Sequence, residues 1–264
     1  RSACSDFKFK KGLVSATKTS GHTLQIADGL WLDKKFKAAM MKSIAQSELD
    51  RKRFVYSDIG FILLQQVVEA VTGKTLDAYL VSEFYRPMGL EHTLFQPLNR
   101  YKKADIMPTA ANDYLRRQDL CGYVHDEAAA FMGGVSGNAG LFSTAQELGK
   151  IYQMILNEGE LDGKRYLRPE TCRIFTTEKS AVSHRGLGYD KPNLKDPKAN
   201  ACASSAPASV YGHTGFTGTC AWVDPENDLV YIFLSNRLCP DAWNGKLNSM
   251  KIRQAVQEVI YQSL

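Results

Sequence analysis

Two short segments carry residue types that can do chemistry. Tyr56-Ser57-Asp58 stands directly before a strongly apolar helical pattern, so the phenol of Tyr56 would lie at the start of a helix, where a side chain can point into a cleft. The second segment, residues 212–218 (GHTGFTG), leads into a strand pattern, and its small residues would let a substrate lie along the strand edge. Taken singly, a tyrosine before a helix is usually a packing residue, and glycines here fit a bulge equally well.

The elements that would position Tyr56 are helices. The pattern FKAAMMKSIA over residues 36–45 predicts a short amphipathic helix. Residues 58–72 are apolar around much of the helix, follow Ser57 as N-cap and end at Gly73, which predicts a buried helix. A further helix is predicted over residues 76–85, with Thr75 at its cap. The first thirty residues are polar and aperiodic, and they predict loop.

The middle of the chain alternates irregular stretches with one clear helix. Residues 99–140 lack a sustained period and end in FMGGVSGNAGLF, whose glycines indicate a close approach between chain segments. Thr144 and Glu147 fit a capping box, which starts a helix that stops at Gly159. A turn at residues 161–164 and a short helix after Pro169 follow. Residues 178–210 predict loop with one short strand near 187–189.

The end of the chain predicts a sheet covered by a helix. TCAWVD and LVYIFLSN flank a turn at residues 225–228, which is typical of a β-hairpin, and the second run has the composition of a central strand. An amphipathic pattern over residues 247–261 predicts a helix that packs on this sheet. Helices, an antiparallel hairpin and a covering helix together predict an α+β layered fold.

The Tyr56-Ser57-Asp58 and His213-Thr214-Gly215 segments together resemble the serine β-lactamases and penicillin-binding proteins, including class C β-lactamases and their esterase relatives. Signatures of that family are S-x-x-K, Y-x-N and a K-T-G or H-x-G strand motif. The resemblance covers roughly residues 50–264 and includes YRPMGLEHT, GNAGLFSTAQELGKIYQMILNEGELDGKRYL and WVDPENDLVYIFLSNR. It implies a β-lactamase/transpeptidase-like α+β fold with the active site between a helical subdomain and an antiparallel sheet. Residues 1–264 would then be a single domain, with a mainly helical part at 36–160 and a sheet and C-terminal helix part at 178–264.

The resemblance also implies roles for the two segments. In this family a serine hydroxyl attacks an ester or amide carbonyl, while a lysine and a tyrosine manage its proton. Tyr56 would take the tyrosine role, and a phenol does so only where cations stabilise its phenolate. His213 would occupy the position of the strand lysine or histidine, so Tyr56 and His213 are the expected catalytic residues. The expected substrate-binding residues are Asp58, Thr214, Gly215 and Phe216.

Two positions depart from the family pattern. Asp58 replaces the usual asparagine, and a carboxylate disfavours a nearby anionic substrate group, which puts β-lactam specificity in doubt. Ser15 and Lys18 match S-x-x-K, but the following residues 19–23 include a glycine and almost no apolar surface, whereas the family's nucleophile begins a buried helix. We therefore expect the nucleophile to lie upstream, and the chain to correspond to the C-terminal portion of such an enzyme.

Composition excludes several function classes. The net charge of +5 comes from dispersed Lys and Arg, which argues against a nucleic-acid partner. No apolar run reaches the roughly 18 residues of a membrane span. The six cysteines are scattered without a C-x-x-C pair, so we expect neither a metal site nor a cofactor. The first twelve residues lack a leader pattern; the localisation stays open, with the periplasm or cell envelope favoured if an upstream segment carries a leader.

Three functions remain open from the sequence. The first is serine hydrolase-type acyl transfer on an ester, a β-lactam or a peptidoglycan-like amide, with this chain inactive unless an upstream segment completes it. The second is a non-catalytic accessory or binding module derived from the same family. The third is a metal- or nucleotide-dependent enzyme, which the sequence disfavours because the glycines of 133–140 lack the Lys-Ser/Thr ending of a phosphate loop.

Overall fold

The computed structural model describes residues 10–48, 54–177 and 179–264. Internal contacts divide the chain into two units. The first comprises Arg1–Pro87, Thr93–Phe142 and Cys239–Ala242, and the second comprises Met88–His92, Ser143–Leu238 and Trp243–Leu264.

The first unit opens with an antiparallel sheet. Its strands are β1 (Val14–Ser15), β2 (His22–Ala27) and β3 (Leu30–Asp33), in the order β1-β3-β2. The prediction of loop for the first thirty residues was wrong here. Asp28-Gly29 forms the two-residue turn of the β2–β3 hairpin, with Gly29 at a φ of 58°, and Asp-Gly is a strong hairpin signal. Ile26 and Leu32 point from these strands into the core.

Three helices follow the sheet. Helix α1 (Phe36–Ala45) is confirmed, and α2 (Ile59–Thr72) ends at Gly73 in the left-handed conformation as predicted. Helix α3 (Leu76–Leu80) continues into a π-helical turn over Val81–Tyr85. The prediction that α2 is buried was wrong for the described residues. Only one narrow stripe of α2, which includes Ile62, packs into the core, whereas Leu64 and Val71 are 56% and 80% exposed.

The rest of the first unit surrounds one short helix. The chain forms β4 (Leu94–Phe95), β5 (Pro108–Ala110), β6 (Leu120–Cys121), α4 (Glu127–Phe131) and β7 (Leu141–Phe142). Asp126 caps α4 by accepting the N–H of Ala129 at 2.8 Å. Helix α4 is buried throughout, and the ring of Phe131 meets that of Phe36 edge to face at 4.9 Å, so α4 and α1 share one core.

The second unit begins with helices and a hairpin. These elements are α5 (Ala145–Leu156), β8 (Glu160–Leu161), β9 (Lys164–Arg165) and α6 (Pro169–Thr177). One of the two hydrogen bonds of the predicted capping box is confirmed, since Thr144 Oγ1 accepts the N–H of Glu147 at 3.3 Å. The Glu147 carboxylate instead accepts the backbone N–H groups of Glu91 and His92 at 2.9 Å, which ties residues 88–92 to α5.

An antiparallel sheet forms the centre of the second unit. Its strands are β10 (Tyr211–Thr214), β11 (Cys220–Asp224) and β12 (Leu229–Phe233), in the order β10-β11-β12. The predicted hairpin is confirmed. The central strand of the described sheet is β11, which is buried at every residue, whereas β12, expected to be central, lies beside it at the end of the order. In place of the strand expected near 187–189, Asp190 forms an isolated bridge with Gly212.

The C-terminal helix is divided in two. Helices α7 (Lys246–Ser249) and α8 (Ile252–Ser263) are separated at Lys251, which has a φ of 49°. Ile260 of α8 packs with Trp222 and Tyr231 of the sheet, as the amphipathic pattern predicts. Helices and antiparallel sheets in both units confirm the predicted α+β class. No helix among the described residues combines the length and apolarity needed to cross a membrane.

Candidate functional site

Tyr56 and Asp58 lie together in the first unit, at the start of α2. Tyr56 is 54% exposed. The Ser57 hydroxyl accepts the N–H of Ile59 at 3.2 Å, while Asp58, which directly precedes the helix, makes no side-chain cap bond. Ser57 therefore holds the turn that leads into α2, and the Asp58 carboxyl is left to interact with another segment.

That other segment is the glycine-rich run before β7. Burial raises the pKa of Asp58 above its usual value, the charge of Asp126 adds to this rise, and a hydrogen bond with Asn138 opposes it. The Asn138 amide also donates to Asp126 Oδ1 at 3.0 Å. The structure thus bonds Asp58 to Asn138 and places it near the charge of Asp126, two polar residues that the motif did not indicate. The glycine pattern was the available signal, since it predicted a close chain approach in this stretch.

Gly137 is the point of closest approach to α2. Its N–H donates to Gln65 Oε1 at 3.1 Å, and a Cβ at this position would lie 2.2 Å from the carbonyl oxygen of Phe61. Only glycine fits this crossing. The crossing places the Asn138 side chain next to the start of α2.

His213 lies on β10 in the second unit, and both of its ring nitrogens are occupied. Nδ1 is 2.7 Å from the carbonyl oxygen of Thr214, and Nε2 is 3.0 Å from Nη1 of Arg185. A carbonyl only accepts and a guanidinium only donates, so both contacts are satisfied by the tautomer with hydrogen on Nδ1. A further partner for Nε2, such as a phenol or a substrate carboxylate, would have to displace or share Arg185.

Arg185 belongs to a charged cluster that composition did not reveal. Its Nη2 is 3.2 Å from Asp190 Oδ2, and His184 Nε2 is 2.9 Å from Asp190 Oδ1. Asp190 is also fixed by its backbone, which exchanges both hydrogen bonds with Gly212 of β10. The segment 178–210 therefore supplies a cation and its counter-charge beside His213, although its sequence has no period.

The backbone of β10 offers an edge. Gly212 directs its N–H and C=O away from β11, since both bond to Asp190. Alternate residues of a strand direct their backbone N–H and C=O groups to the same side. The N–H and C=O of Thr214, two residues after Gly212, therefore also point to the outer edge. The glycines have packing roles, because a Cβ on Gly212 would lie 2.1 Å from the Ala221 carbonyl and one on Gly215 would lie 2.2 Å from Thr219 Oγ1.

Phe216 follows the strand in a turn and is 69% exposed. The guanidinium of Arg237 lies over its ring at 4.6 Å, and Arg237 Nε donates to the Phe216 carbonyl at 2.7 Å. These contacts hold the Phe216 backbone directly beyond the Thr214-Gly215 edge.

Ser15 and Lys18 do not form a helical S-x-x-K arrangement. Ser15 lies on β1, paired with Trp31, and its hydroxyl accepts the N–H of Thr17 at 3.3 Å. Lys18 lies outside any helix, with its ammonium 5.5 Å from the centre of the Trp31 ring. A serine and lysine one helical turn apart are therefore absent from this position, in agreement with the reading of the motif as a chance match. Over residues 10–48, 54–177 and 179–264, no group of three His, Cys, Asp or Glu side chains is arranged to hold a metal ion.

Comparisons with known proteins match this chain to one family. The sequence model of the Beta-lactamase family matches residues 16–252. A putative D-alanyl-D-alanine carboxypeptidase of Escherichia coli strain K12 is 38% identical over 197 residues, which cover 70% of this chain and 45% of that protein. One of the same description from Salmonella gallinarum is 32% identical over 227 residues, covering 80% and 52%. The chain thus spans about half the length of the curated relatives it matches.

Solved structures show the same fold at low sequence identity. A β-lactamase from Mycobacterium bovis has a TM-score of 0.52 at 20% identity, covering 80% of this chain and 64% of that one. The octameric penicillin-binding protein homologue from Pyrococcus abyssi has a TM-score of 0.54 at 18% identity, covering 77% and 44%. The family resemblance and the fold predicted from the sequence are both confirmed: the chain belongs to the Beta-lactamase family and has the β-lactamase/transpeptidase-like fold.

Proposed function

We propose that this chain takes part in serine hydrolase-type acyl transfer on a peptidoglycan-like peptide that ends in a free carboxylate, with β-lactams and esters as related substrates. The observation that carries the proposal is the arrangement at β10, where an outward-facing backbone edge at Thr214 adjoins His213 and the Arg185 cation. The names of the curated relatives, putative D-alanyl-D-alanine carboxypeptidases, support the same substrate class. Action on peptidoglycan would take place in the cell envelope.

In this mechanism a serine oxygen attacks the carbonyl carbon and forms the acyl–oxygen bond. Its proton passes through Tyr56 to the leaving amine or alcohol as the C–N or C–O bond breaks. Water then hydrolyses the acyl-enzyme by the reverse proton path. We do not assign the nucleophile to Ser15, since Ser15 lies on a strand rather than one helical turn from a lysine.

The substrate would lie along the β10 edge. An extended peptide adds to an exposed strand through its backbone, so the N–H of Thr214 would hold it in register, beside the Thr214 C=O that already accepts from Nδ1 of His213. The peptide's carboxylate would meet Arg185, whose two-pronged guanidinium suits that group. The N–H of Phe216, beyond Gly215, would stabilise the oxyanion. Asp58 would disfavour an anionic substrate group near the start of α2.

The experiment is intact-mass spectrometry after incubation with a fluorophosphonate and, separately, with benzylpenicillin. It compares this chain, its Ser15→Ala variant and a polypeptide extended to the length of the curated relatives. We expect a covalent adduct on the extended polypeptide, and none on the chain alone. An adduct that Ser15→Ala removes would instead make Ser15 the nucleophile.

The runner-up is a non-catalytic accessory or binding module derived from this family. It predicts that neither reagent labels any of these polypeptides, because a module without a nucleophile stays unmodified. That result would overturn the acyl-transfer proposal.

A further inference from the structure

The second unit contains a cavity that the proposed acyl-transfer site does not use. The cavity has a volume of about 480 Å³ and lies among the end of α5, helix α6 and strand β10. None of the six proposed catalytic and substrate-binding residues lines it. The residue of chemical interest in its wall is Lys191, which follows the Asp190 bridge to β10.

Lys191 is a buried cation without a carboxylate partner in the described part of the chain. Its side chain is long and charged, yet the residue is only 4% exposed. Its ammonium donates to the carbonyl oxygen of Thr176 and, at 3.5 Å, to that of Ser209, and it lies 5.7 Å from the centre of the Tyr211 ring. Lysine is among the residue types least often buried unless it is paired. Two carbonyl dipoles and an aromatic face stabilise the charge without neutralising it.

The charges around the cavity are also predominantly positive. Lys179 and Arg173 line it together with Lys191, and the one acidic lining residue among the described residues, Glu158, is held at 2.7 Å by Arg173. Burial, with a contribution from Lys179, lowers the pKa of Lys191 to about 8. An anion in the cavity would relieve this excess of positive charge, because it would place a negative charge beside the ammonium of Lys191.

The remaining lining is mostly apolar, with the hydroxyl-bearing residues Thr176, Thr177 and Ser209 among it. Ile155, Leu156 and Pro225 line the cavity beside the ring of Tyr211. A fully hydrated inorganic anion would leave these walls unused, whereas an apolar body would cover them. We propose that this cavity is a binding site for a small organic carboxylate with an apolar body, whose carboxylate contacts the ammonium of Lys191.

The probe for the test is 4-fluorobenzoate, titrated into the full chain at pH 7 and followed by fluorine NMR line broadening. The variants are Lys191→Met, which keeps length but removes charge, and Lys195→Met, an exposed lysine outside the cavity. 4-Fluorobenzamide serves as a neutral probe of the same shape. We expect saturable binding of the benzoate, an affinity at least tenfold weaker in Lys191→Met, no change in Lys195→Met, and at least tenfold weaker binding of the amide.

Two further readouts keep the test decisive if Lys191→Met does not fold. Lys179→Gln, at an exposed lining position, should weaken benzoate binding a few-fold, and the comparison of benzoate with amide needs no variant at all. The proposal is overturned if benzoate fails to saturate the unmodified chain, if the amide binds equally well, or if folded Lys191→Met binds benzoate unchanged.

Discussion

The Arg185 guanidinium lies 3.0 Å from Nε2 of His213, and its other terminal nitrogen lies 3.2 Å from the Asp190 carboxylate. The family motif contributes His213, while the loop before it contributes the cation and the counter-charge. His213 is therefore held in one tautomer and one orientation by a residue 28 positions earlier in the chain. In the proposed function, the Arg185 cation of this arrangement is the group that would meet a substrate carboxylate.

We predict that Arg185→Ala, made in the extended polypeptide, slows acylation by benzylpenicillin but leaves labelling by a fluorophosphonate nearly unchanged. Benzylpenicillin bears a carboxylate and a neutral alkyl fluorophosphonate does not. A charge-assisted hydrogen bond is worth about 1.5–3 kcal/mol, so penicillin acylation should slow by about ten- to a hundredfold while fluorophosphonate labelling changes less than about twofold. Rates come from intact-mass time courses. Equal slowing of both reagents would show that Arg185 acts only by holding the fold, and Arg185→Lys should restore part of the penicillin rate.

We predict that Gly212→Ala disrupts the sheet of the second unit. The new Cβ would lie 2.1 Å from the Ala221 carbonyl oxygen and 2.8 Å from the Cα of Trp222, both backbone atoms of the central strand. Overpacking against backbone should lower the free energy of unfolding by about 3 kcal/mol. Gly245→Ala is the matched control, because no heavy atom lies within 4 Å of its added Cβ. Urea denaturation measures both, and equal stabilities would refute the close approach.

We predict that Arg116→Met strongly destabilises the first unit. Arg116 and Asp113 form a fully buried pair, with Nε and Oδ1 at 2.8 Å, and Arg116 also donates to the carbonyl of Val124 at 3.0 Å. Removing one partner leaves an unpaired buried carboxylate, which should cost about 3–5 kcal/mol in unfolding free energy. The neighbouring, exposed Arg117→Met should change it by less than about 0.5 kcal/mol.

The same pair predicts an acid dependence of stability. Burial acts to raise the pKa of Asp113, but its bonds to Arg116 hold that pKa below its usual value. The folded state therefore releases this proton more readily than the unfolded state, and the stability it contributes is present at neutral pH and lost as pH falls below about 4. Wild type should lose more stability than Arg116→Met between pH 6 and pH 3 in urea titrations. A parallel loss in both proteins would contradict the linkage.

We predict that Asp58 affects the pH dependence of stability in the opposite direction. Burial and the charge of Asp126 raise its pKa, so the folded state holds the proton more tightly than the unfolded state. Wild type therefore loses stability as pH rises from the pKa of the unfolded state through that of the folded state. Asp58→Asn should raise the thermal midpoint at pH 7.5, and the gain should shrink toward pH 4. Calorimetry at both pH values measures this, with Asp105→Asn as a control for the same change of side chain at an exposed position.

Local sequence determined the parts of this protein whose signals lie within one turn or one hairpin. Helix α1, the Gly73 stop of α2, the Thr144 cap and the β11–β12 hairpin follow from side-chain period and capping chemistry, which act between near neighbours. The paired motifs at Tyr56 and His213 also indicated the family, which the comparisons confirm. The sheet of residues 14–33 was missed although Asp28-Gly29 carried its signal.

Tertiary structure decided which residues surround those motifs. Arg185 beside His213, Asn138 beside Asp58 and the buried Lys191 all come from segments without a period. A loop of this kind is held in place by hydrogen bonds and charges from distant parts of the chain. The exposure of α2 likewise depended on what packs against it: an apolar pattern shows that a surface favours burial, and only the surrounding structure shows which of its residues are covered.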